Sequence, residues 1–419
     1  MENTMAKELS LYVHIPFCVR KCLYCDFLSF YADRSMQADY FKALAKEISL
    51  SAAALKDRKV ISIFFGGGTP SFPDSEDVCR LLDIIGDNFD VDADAEISIE
   101  VNPASAMRKK LKAFRRAGFD RLSIGAQSLN DDELKTLGRV HDSAMFYHTF
   151  ESARDAGFDN INVDIMSALP GQSLDSYLDT LGSIIRLAPE HVSAYSLIVE
   201  EGTPFFEMEL DLPGEELDRR MYHETGRMLT DAGYHRYEIS NYSREGYECR
   251  HNKVYWRRGE YLGLGLGAAS LIDETRWSNT RDMNKYMVHL HGCEENEAPP
   301  HPEGVSSNIG RDRFLSSLCG IREDAEELDI KSRMEEFMFL GLRLTGGVSR
   351  QLFSRNFGRD MEEVYGDVIR KYIDFGLLEW RECPEGGHLQ GSSEGTKYLR
   401  LTERGLDVSN TVMADFLLD

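Results

Sequence analysis

Between about residue 10 and residue 200, apolar runs of strand length alternate with amphipathic stretches of helix length. This alternation limits the possible folds more than any other feature of the chain. The strand candidates are "SLYVHIPF", "KVISIFFGGG", "EISIEVNP", "RLSIGAQS", "NINVDIMSALP" and "HVSAYSLIVE". Between them lie helical patterns such as "ADYFKALAKEISLSAAAL", "SAMRKKLKAFRRAGF" and "SAMFYHTFESARDAGF". Near-continuous β-branched runs fit strands buried on both faces. Strand–helix alternation implies βαβ units and a parallel sheet. Two helical stretches end in "AGF", which puts Gly118 and Gly157 where a left-handed cap is expected. Six units are too few for an eight-fold barrel, so the expectation is an α/β open or partial (β/α)6 barrel.

From about residue 205 the pattern changes. "LDRRMYHETGRMLTDAGYHRYEIS" reads as a helix leading to a short strand, and "RRGEYLGLGLGAASL" as a glycine-rich segment that turns the chain tightly. Residues 291–310 have Pro, Gly and Ser with little pattern and read as a surface loop. Beyond them come two or three helical pieces, a hairpin-like "KYLRLTERG" and a final helix, the pattern of a mainly helical, winged-helix-like module. The expected division is a barrel over 1–200, a barrel extension and connecting region over 201–330, and the C-terminal module over 331–419.

The formal charge of −23 argues against non-specific nucleic-acid binding, which depends on Lys and Arg neutralising phosphates. No stretch approaches the roughly 18 apolar residues of a membrane helix, and the N-terminus has no apolar signal core. The chain therefore reads as cytoplasmic. In that compartment clustered cysteines are more often metal ligands or redox groups than disulfides. Three of the eight cysteines, Cys18, Cys22 and Cys25, fall within "FCVRKCLYCDF", directly after the first strand. The others, Cys79, Cys249, Cys293, Cys319 and Cys383, are scattered and read as small core hydrophobes.

The spacing Cx3CxxC is neither the paired CxxC of structural zinc nor a two-thiol redox motif. Three thiolates on a four-iron cluster would leave one iron open, because such clusters usually take four. A catalytic zinc site follows the same logic of three protein ligands and one exchangeable position. Gly66, Gly67 and Gly68 end the second strand and let backbone approach a ligand closely. "GGGTP" lacks the Lys followed by Ser/Thr that closes a phosphate loop. Glu100, Gln127 and Asp164 sit at or just beyond the ends of strands three to five, where polar groups face the site of an α/β barrel. Arg139, on the helical stretch that follows, can pair bidentately with a carboxylate.

"Cx3CxYC" after a first barrel strand, with "LYVHIPFC", "FFGGGTPS", "IEVNP", "SIGAQS" and "VDIMSALPGQ" in order, resembles the radical S-adenosylmethionine (SAM) superfamily. The branch it resembles contains oxygen-independent coproporphyrinogen III oxidase and the related haem chaperones, and the likeness runs from about residue 10 to 410. The resemblance implies a [4Fe-4S] cluster on Cys18, Cys22 and Cys25, with the amino and carboxylate groups of SAM on the fourth iron. It also carries SAM contacts onto Tyr12, Tyr24, Gly67, Gly68, Thr69, Glu100, Gln127, Arg139 and Asp164, although a barrel-core aromatic is almost as good a reading of Tyr12.

Three features choose within the branch. The oxidases continue their signature to a further cysteine two residues after the third, and here that residue is Phe27. They also carry a longer leading segment than the roughly ten residues that precede the first strand here. "CRHNKVYW" (249–256) fits the HNxxYW motif of the haem-chaperone branch. His251 offers an imidazole for haem iron, and Tyr255 and Trp256 offer flat apolar faces. A hydrogen-bonded core histidine is the ordinary alternative for His251. The expectation is a haem chaperone that carries cluster and SAM and passes haem to acceptor haemoproteins. Peripheral membrane contact and a homodimer are both compatible with it. The rival enzyme is a coproporphyrinogen III oxidase working through a 5′-deoxyadenosyl radical. A DNA-binding regulator using the C-terminal module is disfavoured by the acidic charge.

Overall fold

The computed structural model describes residues 6–292, 318, 320–382 and 396–418. Cys293, Cys319, Cys383 and nearly all of the loop expected at 291–310 lie outside the described residues. The chain forms two compact units. One comprises Met1–Met228 with Glu260–Glu326, the other Leu229–Gly259 with Glu327–Asp419.

In the first unit the expected alternation is present. It runs β1 (Lys7–Ile15), α1 (Arg34–Ala54), β2 (Arg58–Gly67), α2 (Ser75–Asn88), β3 (Asp90–Val101), α3 (Arg108–Ala117) and β4 (Arg121–Gln127). It continues with α4 (Asp131–Thr136), α5 (Ser143–Ala156), β5 (Asn160–Ser167), α6 (Leu174–Leu187) and β6 (His191–Ser196). Each strand from β1 to β6 pairs in parallel with the next. The strands are buried because helices cover them. Leu9, Leu11, Val13 and Ile15 of β1, for example, are fully enclosed. The helices begin on side-chain caps: Asp33, Asp74, Asn130, Asp142 and Ser173 each accept a backbone N–H of the first turn. Each cap stabilises its helix by about 1 kcal/mol. Helices α3 and α5 end as expected on Gly118 and Gly157, at φ of 113° and 95°.

Helix α7 (Glu215–Asp231) follows, then β7 (His235–Arg236), β8 (Asn241–Ser243) and α8 (Arg250–Trp256). The chain then adds β9 (Tyr261–Leu264), β10 (Ala269–Ile272), β11 (Thr275–Asn279), α9 (Met283–Gly292) and β12 (Arg322–Glu327). The glycine-rich segment is thus partly a strand. Its β9 lies parallel to β1 on the edge away from β2, and the order across the sheet is β12-β11-β10-β9-β1-β2-β3-β4-β5-β6. The glycines are needed for contact. A Cβ on Gly263 would stand 2.2 Å from the Ala269 carbonyl, and one on Gly265, at φ 100°, 2.5 Å from the Tyr40 hydroxyl. Tyr40 donates to the His14 carbonyl at 2.7 Å and accepts from the Leu266 N–H, so α1 clamps β1 to the turn after β9.

The second unit contains β7, β8 and α8, followed by α10 (Ile330–Gly341), β13 (Val348–Ser349), α11 (Arg350–Phe357) and α12 (Met361–Asp374). It ends with β14 (Leu378–Glu382), β15 (Lys397–Leu401), α13 (Glu403–Leu406) and α14 (Ser409–Ala414). The strands form a sheet of order β13-β15-β14. "KYLRLTERG" is therefore not a hairpin in itself. Its strand pairs with β14, and Thr402 caps a new helix by accepting from the Gly405 N–H. Phe337, Phe353, Phe357 and Tyr365 pack together in the core in edge-on or tilted pairs, with ring centroids 4.7–6.0 Å apart. Helices followed by a wing of paired strands match the expected winged-helix-like class.

Candidate cofactor site

The segment carrying the three cysteines is held at both ends and in the middle. The Cys18 N–H donates to the Phe30 carbonyl at 3.0 Å, and the Phe30 N–H to the Pro16 carbonyl at 2.9 Å. In the middle, the Leu23 N–H donates to the Leu137 carbonyl at 3.1 Å, and the Leu23 carbonyl accepts from the Phe205 N–H at 3.0 Å. Leu23 and Tyr24 pack on Leu137, Met166, Leu169 and Phe205. This anchoring is what lets a loop carry a site with defined geometry.

The glycines after β2 bring the next wall close. Gly68 and Thr69 donate to the Ile15 and Phe17 carbonyls at 2.9 Å each. A Cβ on Gly68 would stand 2.9 Å from Phe17 backbone, and one on Gly67 would stand 2.4 Å from the His14 ring. The Thr69 hydroxyl consequently lies 3.2 Å from Cys18 Sγ. The Gly67 N–H donates to Glu100 Oε2 at 3.2 Å.

All three cysteines are free thiols. Burial pushes Cys18 up, and it raises Cys25 to about 11, with Cys22 adding to both. Such thiols ionise when a metal compensates their charge. Among the described residues, no three His, Cys, Asp or Glu side chains converge on one metal ion. Three thiols on one anchored loop, near enough to perturb one another, fit a multi-iron cluster that spreads its ligands.

Arg139 lies behind the thiols. It follows α4 on a loop and not on the helix, because Gly138 turns the chain at φ 71°. The guanidinium donates to the Gly125 carbonyl at 2.7 Å and reaches Cys22 Sγ at 3.8 Å. Its Nε is buried without a partner, so a donor is available for a carboxylate. Tyr24 bonds to the same guanidinium, and burial raises its phenol.

Gln127 ends β4 at φ 66°, a left-handed conformation unusual for a non-glycine residue. It follows a register shift between Gly125 and Gln127 against β5, a bulge that re-aims the side chain. Gln127 Oε1 accepts from the Tyr195 hydroxyl at 3.0 Å. Asp164 lies inside β5, opposite Gly125 just before that shift, and not at the strand end as expected. It accepts from Asn162 at 2.7 Å and from Ser123 at 3.3 Å. Burial raises Asp164, and burial together with Asp164 raises Glu100 to about 8. The Tyr12 hydroxyl lies 3.1 Å from His14 Nδ1, and its ring stacks on Phe64 at 6.4 Å.

The expected residues of the first unit thus form one constellation: thiols, an arginine with a spare donor, two carboxyls and an amide around a glycine cradle. This donor set suits SAM, which presents a carboxylate, an ammonium, ribose hydroxyls and a sulfonium. His251 belongs to the second unit, where it is buried in α8 with Nε2 2.9 Å from the Tyr255 hydroxyl.

Three residues were missed by sequence reasoning. Tyr195, at the penultimate position of β6, is within electrostatic reach of Asp164, Tyr24, Arg139 and Glu100. The strand-end rule that selected Gln127 would have found it. His14 is buried, bridges Tyr12 and the Leu28 carbonyl, and has its basicity lowered by burial. His141, lowered to about 3 by burial and Arg139, lies 3.2 Å from the Ala126 carbonyl at the bulge. Nothing in the local sequence distinguishes either histidine from an ordinary core residue.

Comparison with known proteins agrees with this geometry. A family model described as the Radical SAM superfamily matches residues 12–184, and one described as the HemN C-terminal domain matches 328–383. The heme chaperone HemW of Bacillus subtilis is 33% identical over 97% of this chain and 99% of its own length. HemW of Escherichia coli is also 33% identical, over 98% of each chain. Among solved structures, coproporphyrinogen III oxidase (HemN) of Escherichia coli aligns with a TM-score of 0.78 at 23% identity. The alignment covers 98% of this chain and 90% of that one, a likeness of fold.

Proposed function

The chain belongs to the HemW heme chaperone family of the radical SAM superfamily, and we propose that it binds haem and delivers it to acceptor haemoproteins. The observation that carries this reading is the near-full-length identity with relatives named as haem chaperones. Phe27 supports it. The side chain is 62% exposed beside the cysteine loop, where an oxidase of the branch would present a fourth thiol.

In this reading Cys18, Cys22 and Cys25 would hold the [4Fe-4S] cluster, which would supply an open coordination site for SAM. Arg139 orients that carboxylate with its unpartnered Nε–H. Glu100 and Asp164 offer acceptors on the β3–β5 wall, and Gln127 is fixed by Tyr195. Gly67 and Gly68 let this backbone pass close against His14 and the Ile15–Phe17 backbone. Tyr12, Tyr24 and Thr69 complete the wall. Among the described residues no helix is long and apolar enough to cross a membrane.

The test is anaerobic reconstitution followed by parallel assays. The expected result is haem binding and transfer to an apo-haemoprotein, with no decarboxylation of coproporphyrinogen III when SAM and reductant are supplied. Decarboxylation with SAM consumed in proportion to product would replace the chaperone by the oxidase.

A further inference from the structure

The second unit encloses a cavity of about 500 Å³, within the range of small-molecule sites. One wall is helix α8, which contributes Lys253 and Trp256, with Arg257 at its end. Opposite lie Phe337 of α10 and Arg355 of α11. The hairpin that starts at β7 contributes His235. The hairpin is tied to the far wall, since the Thr345 N–H donates to the Tyr237 carbonyl at 3.0 Å.

The charge of this wall is opposite to that of the chain. Among the described lining residues, Lys253, Arg257 and Arg355 accompany one carboxylate, that of Glu248, in a protein of net charge −23. Glu248 is already engaged, by His235 at 3.0 Å and Lys253 at 3.5 Å. The cavity therefore suits a ligand with more than one negative group. Its remaining surface mixes apolar side chains such as Trp256, Phe337 and Leu352 with polar ones such as Ser349 and Thr396, and the Trp256 indole N–H is buried without a partner. A flat apolar ligand carrying two carboxylates fits both properties.

His235 is the only histidine among the described lining residues, with its side chain 44% exposed. One ring nitrogen is held by Glu248. That carboxylate–imidazole arrangement orients metal-binding histidines and strengthens them as ligands. His251, by contrast, does not line the cavity.

We propose that this cavity is the haem seat, with the propionates on Arg355, Arg257 and Lys253, the porphyrin plane against Trp256 and Phe337, and the iron on His235. The inference rests on the chaperone reading above and adds the place and the ligand. The HNxxYW segment would then act through its Lys253 and Trp256 side, while His251 supports the helix.

The test is titration of the full chain with haemin and, separately, with iron-free protoporphyrin IX, read by Soret-excited resonance Raman so that the cluster does not interfere. His235→Ala is expected to change the haem coordination state, to be rescued by added imidazole, and to leave protoporphyrin binding intact. Arg355→Glu, an exposed helix position, is expected to weaken both ligands by about tenfold or more, as loss of a charge-assisted pair implies. If wild type binds haemin one to one and both variants match it in affinity and spectrum, the cavity assignment is wrong and the chaperone reading stands. If wild type binds no haemin, both fail together.

Discussion

Replacing Glu100 by Gln should stabilise the cofactor-free protein, and by more as pH rises. Burial, reinforced by the Asp164 carboxyl, lifts Glu100 from its ordinary 4.5 to about 8. Between those values the folded protein keeps a proton that the unfolded chain releases. Stability from this group is therefore fully present below about pH 4.5, falls through the interval, and is lost above about pH 8. Each unit corresponds to about 1.4 kcal/mol, so the full loss approaches about 5 kcal/mol, with only about 1 kcal/mol gone by pH 5. The interval belongs to Glu100 and Asp164 together, because the two carboxyls interact. Glutamine retains an acceptor for the Gly67 N–H and never ionises. The assay is thermal unfolding of cluster-free wild type and Glu100→Gln from pH 5 to pH 8.5. At about 2–4 °C per kcal/mol for a domain of this size, the variant's advantage should widen by at least about 4 °C across the range. Parallel pH curves would show that Glu100 is ionised throughout and would refute the argument. SAM added to the reconstituted protein at pH 7 should release more protons from wild type than from the variant.

Other expectations follow from the same site. Anaerobically reconstituted protein should hold about four iron and four sulfide per chain by chemical analysis. Cys18→Ala, Cys22→Ala or Cys25→Ala should each abolish the cluster, whereas Cys79→Ala, on α2, should not. Arg139→Ala should weaken SAM binding to the reconstituted protein by about 1.5–3 kcal/mol, measured by calorimetry or by the SAM-induced change in the reduced cluster's paramagnetic resonance. Gly67→Ala should lower the melting temperature of the cluster-free protein. Its φ of 109° adds about 1–2 kcal/mol of backbone strain, and the new methyl against the His14 ring adds about 1–3 kcal/mol.

Much of the first unit was legible because its information is local. A strand covered on both faces must be apolar along its whole length, so "NINVDIMS" and "RLSIGAQ" could be identified without knowing their neighbours. Cys18, Cys22 and Cys25 are also local, since one loop holds all three. So are the helix ends at Gly118 and Gly157, where a left-handed residue is needed.

What was hidden depends on contacts between distant segments. The addition of β9 beside β1 joins residues about 250 apart, and its glycines read as a turn until Tyr40 and Ala269 are seen pressed against them. The bulge in β4 that turns Gln127 toward Tyr195 is a register event between two strands. The third strand of the C-terminal sheet and the orientation of α8 are decided in the same way. α8 presents Lys253 and Trp256 to a cavity and keeps His251 bonded to Tyr255. The sequence alone therefore determined which chemical groups the protein carries, because spacing along a strand or loop is a local property. Only the tertiary structure decided which of those groups meet and which hold a proton, because burial and cross-strand register are set by residues far away in the chain.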